Sequence, residues 1–179
     1  KIEIKHQENR FVDFDRDRLI YHKMSTAGPK IVKGDVNRDG REDLYIGGAK
    51  DSPGQLLIQT GSGKFTPTNV ALFEKDKVSE DVDDTFFDAD NDGDLDLYVV
   101  SGGTEFRNNA VELTDRLYLN DGEGGFTLAN NQPQLPNNSG GTVVAADVDN
   151  DGDTDLFVGG RIEPRHYPNT PRSYLLVNE

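Results

Sequence analysis

Short apolar runs punctuate this 179-residue chain in a fixed order, and the order repeats three times. Small or apolar residues come first: "KIVKGDV" from Lys30, "DTFFDAD" from Asp84 and "TVVAADV" from Thr142. Each leads into an acidic decapeptide: "DVNRDGREDL" from Asp35, "DADNDGDLDL" from Asp88 and "DVDNDGDTDL" from Asp147, spaced 53 and then 59 residues apart. A stronger apolar run follows each decapeptide: "LYIGG" from Leu44, "LYVVSGG" from Leu97 and "LFVGG" from Leu156. After a variable polar stretch comes a third run: "QLLIQT" from Gln55, "RLYLN" from Arg116 and "SYLLVN" from Ser173. The first two copies then carry a Gly-rich turn ending on an aromatic, "GSGKFT" and "GEGGFT"; the third copy stops at Glu179.

Each unit reads as four short strands, A to D, with the acidic loop between A and B. The B and C runs are continuously apolar and do not alternate, which predicts strands buried on both faces. A four-stranded antiparallel unit covered on both faces by copies of itself is a propeller blade. The expected fold class is therefore all-β, a partial β-propeller of about three blades. The boundaries read as a lead-in over 1–27, blades over 28–80 and 81–137, and a truncated blade over 138–179. The lead-in carries an expected strand at Ile2–Lys5, and its "FVDFDRDRL" lacks the glycine and spacing of a site.

The acidic loops carry the chemistry. In the first, Asp35, Asn37 and Asp39 hold positions 1, 3 and 5, Gly40 holds position 6, Arg41 position 7 and Asp43 position 9. Alternate residues of a tight turn can aim oxygens at one centre, and glycine after the third ligand allows the bend. Position 7 contributes its carbonyl and tolerates any side chain, and Asp at position 9 closes the cage. The other sets are Asp88, Asp90, Asp92, Asp94 and Asp96, and Asp147, Asp149, Asp151, Asp153 and Asp155. Six or so hard oxygen donors suit Ca²⁺, so three Ca²⁺ sites are expected; Mg²⁺ demands octahedral geometry and is disfavoured. An EF-hand would need a glutamate at position 12, where this chain has Ile46, Val99 and Val158. The first loop has the fewest ligand carboxylates and two nearby arginines, Arg38 and Arg41, so it is the weakest expected site.

The acidic decapeptides, the trailing "GG" and the "NDGEGGF" turn resemble the FG-GAP/VCBS repeats of integrin-like β-propellers, over most of residues 28–179. The resemblance implies a ring of more blades than three. An arc of three leaves two blade faces open, so self-association or cover by further blades of a parent chain is expected. The chain has no initiator Met and no basic-then-apolar leader, and reads as an excised segment.

Charge and composition narrow the function. A net charge of -14 with scattered basic residues argues against a nucleic-acid partner. No apolar run is long enough for membrane insertion. The absence of cysteine removes disulfides, thiolate zinc and Cys nucleophiles. His6, His22 and His166 are far apart, and no hydrolase, zincin or phosphate-loop motif occurs. The B–C loops lie on the rim opposite the acidic turns and form a candidate ligand face with Glu105, Phe106, Arg107, Arg161, Arg165, His166, Tyr167 and Arg172. Two function classes stand at this point. One is a non-catalytic calcium-binding module that presents this face to a protein or glycan. The other is the propeller part of a polysaccharide-acting enzyme with its catalytic residues elsewhere. Millimolar calcium outside cells fills even weak sites, so an extracellular, periplasmic or cell-surface location is expected.

Overall fold

The computed structural model of the protein describes residues 4, 6–61 and 63–179. The strand expected over Ile2–Lys5 rests on residues 2, 3 and 5, which lie outside that set. Among the described residues the strands form three antiparallel sheets, each a meander in chain order. The first holds β1 (Ile31–Gly34), β2 (Asp43–Ile46), β3 (Gln55–Thr60) and β4 (Lys64–Thr68). The second holds β5 (Asp81–Phe87), β6 (Asp96–Ser101), β7 (Arg116–Asn120) and β8 (Phe126–Leu128). The third holds β9 (Ser139–Ala146), β10 (Asp155–Ile162) and β11 (Tyr174–Leu176).

Each acidic decapeptide closes the first hairpin of its sheet. The register is the same in all three: the residue before the loop faces the aspartate at position 9, as Gly34↔Asp43, Phe87↔Asp96 and Ala146↔Asp155. The sheets stack through their first strands, with β5 packed between β1 and β9. The second strand of the middle sheet, β6, is buried along its whole length. Leu97 and Val99 join Tyr45, Leu56 and Tyr118 in the core shared with the first sheet. Tyr98 and Val100 join Val143, Leu156 and Val158 in the core shared with the third. A continuous apolar run is what a strand with two covered faces requires.

Nothing in the apolar pattern signals α2 (Val70–Asp76) between the first two sheets. Seven residues are too few for a helical period to register. The helix is held by Phe73, buried with its ring centroid 5.3 Å from those of both Tyr45 and Tyr118. Asn69 fixes its start to the second sheet: its amide donates to the Gly124 carbonyl at 2.8 Å and accepts the Phe126 N–H at 2.9 Å.

The segment before β1 folds over the connections β6–β7 and β10–β11. In it, α1 (Asp13–Arg16) supplies two anchors. The buried Asp13 carboxylate accepts the N–H groups of Met24 and Ser25, each at 2.9 Å, and the Thr104 hydroxyl. Burial opposes its ionisation, but the donors around it overcome that and hold its pKa below the usual value. Arg16 donates to the carbonyls of Thr104 and Phe106 at 2.6 and 2.9 Å. Ile20 and Met24 pack with Ile162.

Candidate functional site

The three acidic loops share one backbone design. The residue at position 4 is left-handed in each, with φ of 57° at Arg38, 61° at Asn91 and 64° at Asn150. Glycine at position 6 follows with φ of 82°, 86° and 104°. Asn tolerates such a conformation and Gly adopts it freely, whereas Arg38 is strained there. The glycine N–H donates to the position-1 aspartate: Gly40 to Asp35 at 2.8 Å, Gly93 to Asp88 at 2.9 Å and Gly152 to Asp147 at 3.2 Å. The position-7 N–H donates to the position-5 carboxylate: Arg41 to Asp39, Asp94 to Asp92 and Asp153 to Asp151, at 2.9–3.0 Å. These bonds turn the side chains of positions 1 and 5 inward over the loop.

The aspartate at position 9 has a second task that the sequence reading did not assign. Asp43, Asp96 and Asp155 are buried, and each takes two backbone donors. One is the position-2 N–H, from Val36, Ala89 or Val148, at 2.8–3.1 Å. The other comes from the end of the third strand or just beyond it: Gln59, Asn120 or Asn178, at 2.7–2.9 Å. Burial pushes the Asp43 and Asp96 carboxyls up, and these N–H bonds pull the other way.

The loops differ in what they gather. In the second, Asp88, Asp90 and Asp96 bring ligand oxygens within 4.8 Å of one another; in the third, Asp147, Asp149 and Asp151 do so. That span is what oxygens on opposite sides of a calcium ion require at bond lengths near 2.4 Å. Asp88 and Asp94 each also bury one Oδ1 that has no donor. An oxygen-only donor set with buried acceptors left over fits a hard cation. Asp94, expected to offer only its carbonyl, has its side chain buried beside Gly122. Burial first, then the neighbouring Asp92 and Asp96, pushes it up to about 6, against the pull of Arg38.

The first loop carries its own counter-charge. The Arg41 guanidinium pairs with Asp39, and its Nε donates to the Gln59 carbonyl at 2.8 Å. The Asn37 amide also donates to Asp39, at 3.1 Å. The side chain of position 7, not only its backbone, thus acts on the loop. Arg38 serves the neighbouring loop: its Nη2 lies 3.4 Å from the Asp92 carbonyl and 3.9 Å from Asp94 Oδ2.

The B–C connections are only partly free. Arg107, Arg165, His166 and Arg172 are exposed, and Tyr167 is half-buried; Arg161 is exposed too, but it lies within β10 and not in the connection expected to carry it. Phe106 is buried, which corrects its expected place on a ligand face, and its backbone carbonyl accepts Arg16 Nη1 at 2.9 Å. Glu105 is half-buried and accepts the Asn9 amide at 2.7 Å.

Two contributors went unread in the sequence. The side chains of Asn120 and Asn178 tie each sheet to the one before it. Asn120 donates to the Val36 carbonyl at 2.8 Å, and Asn178 to that of Ala89 at 3.1 Å. The Asn that ends both "RLYLN" and "SYLLVN" was the available signal. The second is a buried ion pair, Asp81 with Arg116, in which Asp81 also accepts the Tyr45 hydroxyl at 3.1 Å and the Gly48 N–H at 2.8 Å.

Repeated hairpins of this kind, closed by acidic loops, define a class of tandem all-β repeats. The sequence profile of the FG-GAP-like repeat matches residues 35–99 and 88–158, each match running from one acidic loop through the next. The chain belongs to the FG-GAP-like repeat family. No curated protein matches it significantly.

Proposed function

We propose that the chain is a calcium-stiffened segment of a β-propeller that binds a protein or glycan through its B–C rim, on an exported protein. The observation that carries the calcium reading is the gathering of three carboxylates within 4.8 Å in two of the three loops. Unpaired, two such charges about 4 Å apart repel by roughly 4 kcal/mol at an effective dielectric near 20. A divalent ion removes that repulsion, and the loop then fixes the first hairpin of its sheet. The trios Asp88, Asp90, Asp96 and Asp147, Asp149, Asp151 would hold the ions directly. Asp35, Asn37, Asp39 and Asp43 form the weakest of the three sites, because Arg41 already neutralises Asp39.

The rim reading rests on charge. Arg107, Arg165 and Arg172 are exposed on the B–C connections and Arg161 at the end of β10, with the acids Glu112, Asp115 and Glu163 interspersed among them, so the edge offers charge of both signs. Arginines of this kind suit acidic groups on a protein or sugar. Extracellular calcium supports an exported location, and no helix among the described residues is long and apolar enough to cross a membrane.

Thermal melting tests the calcium reading. With calcium about 100-fold above its Kd, one site contributes about 2.7 kcal/mol, which raises Tm by roughly 5–10 °C over the chelated protein. Asp90→Asn and Asp151→Ala should each remove part of that increment. Melting that is indifferent to both EDTA and added calcium would overturn it.

A further inference from the structure

A cavity of about 610 Å³ lies between the segment before β1 and the β10–β11 connection. Its wall holds Arg10, Phe11, Val12, Asp15, Arg16 and Arg165, which is three guanidinium groups to one carboxylate. Among the described residues, no carboxylate lies within ion-pair distance of any of the three. Guanidinium groups gathered in a concave wall without a bonded acid suit an anion from outside.

Two of the arginines are held by contacts other than a counter-charge. Arg16 commits Nη1 to the Thr104 and Phe106 carbonyls at 2.6 and 2.9 Å, and its guanidinium carbon lies 4.8 Å from the centroid of the Phe11 ring. Its Nε and Nη2 have no acceptor among the described residues, and this edge of a guanidinium is the one that takes both oxygens of a carboxylate. Arg165 sits in the left-handed region at φ 70°, which favours glycine. Its N–H is pinned to the buried Asp17 carboxylate at 3.1 Å, and the His166 N–H closes the turn on the Glu163 carbonyl at 3.0 Å. Strain kept at an exposed position by such anchors marks a side chain with a task. Arg10 is exposed and also borders the adjoining cavity that Glu8 lines. Burial first, then Arg165, disfavours the charge on Arg16; Asp17 and Glu105 support it, and Arg107 opposes it. Those two acids already accept bonds, Asp17 from the Arg165 N–H and Glu105 from the Asn9 amide at 2.7 Å. They offset part of the positive charge, which leaves a place for one negative charge and not for a run of them.

We propose that this cavity binds an acidic sugar of the hexuronate class, with Arg10, Arg16 and Arg165 on its carboxylate. The proposal deepens the rim reading and rests on it. Guanidinium forks match a planar carboxylate. Phe11 and Val12 meet the apolar C–H groups of the ring, and Asp15 accepts one of its hydroxyls. An acidic peptide fits less well, because it brings several charges toward Asp15 on a chain whose net charge is -14. The site joins the segment before β1 to the β10–β11 connection, so the binding face is not built from the B–C connections alone.

NMR titration of the full chain with D-glucuronate, at fixed calcium, tests this against glucose and tetraglutamate. Glucuronate should shift the amide signals of Phe11, Asp15 and Arg165, and glucose, which lacks only the carboxylate, should not. Arg10→Gln and Arg165→Gln should each weaken glucuronate about tenfold. Both side chains are exposed, so both variants should melt with wild type. Arg165→Lys should recover only part of the loss, because an ammonium cannot grip two oxygens in parallel. Glucuronate binding that ignores both Gln variants but is lost in Arg107→Gln or Arg172→Gln would overturn this cavity and keep the rim reading. Binding indifferent to all four arginines would overturn both. No binding of glucuronate, or equal binding of glucose, would overturn the acidic sugar. Tighter binding of tetraglutamate would overturn it too and assign the rim to an acidic protein.

Discussion

Asp84 on β5 buries both carboxylate oxygens with no donor to either, hard against Gly47 of the first sheet. Burial first, then the charges of Asp83 and Asp81, pushes it up to about 8, while Lys30 pulls the other way. In the unfolded chain an aspartate releases its proton near pH 4. Between about pH 4 and 8 the native state holds a proton that the unfolded state has lost, so stability falls as pH rises through that window. Asp84→Asn should flatten this slope and, at pH 8, unfold about 1–3 kcal/mol later than wild type in urea and chelator. Parallel pH profiles for the two proteins would refute the assignment. The residue was illegible in the sequence for a physical reason. Asp84 ends the acidic stretch "EDVDD" ahead of "TFF", which looks like the solvent-facing start of a strand, and Gly47, which lies against it, belongs to a different repeat. The loop aspartates were legible because their partners lie within ten residues of one another.

The hairpin is the element where sequence and structure agree best. Each acidic loop sits between the first two strands of its sheet, and the runs from Gln55, Arg116 and Ser173 supply the third strand as read. Agreement ends where distant residues decide. Arg16, from the segment before β1, holds the Phe106 carbonyl, and α2 depends on Phe73 finding two tyrosines. The joint between sheets is the same kind of case, because Asn120 acts on a carbonyl of the preceding sheet. It donates to Val36 and Leu95 and accepts the N–H groups of Asp121 and Gly124. Asn120→Ala removes four bonds and should cost about 2–4 kcal/mol. Hydrogen exchange should quicken in both the first and second acidic loops. Faster exchange in the second loop alone would show that no tie between sheets was lost.

At the scale of the molecule, the stack has an uncovered side. On β10, Leu156 and Val158 are buried against the middle sheet, while Phe157 between them is 45% exposed. Its cross-strand partners Val144 and Leu175 are 56% and 52% exposed, which makes one apolar row across the third sheet. We propose that a second copy of the chain packs there. Wild type should sediment as a concentration-dependent oligomer at micromolar levels, and Phe157→Lys should shift it to monomer with stability changed by no more than about 0.5 kcal/mol. A monomeric wild type would refute this. The amide joints bear on how such a stack could grow. Asn120 grips the first sheet's acidic loop at Val36, and Asn178 grips the second sheet's at Ala89. The second unit thus carries both a hook at the end of its third strand and an eye at its first loop. A gene duplication that copies one unit copies both halves of the fastening, so arrays of this design can gain or lose members by recombination without any new joint having to evolve.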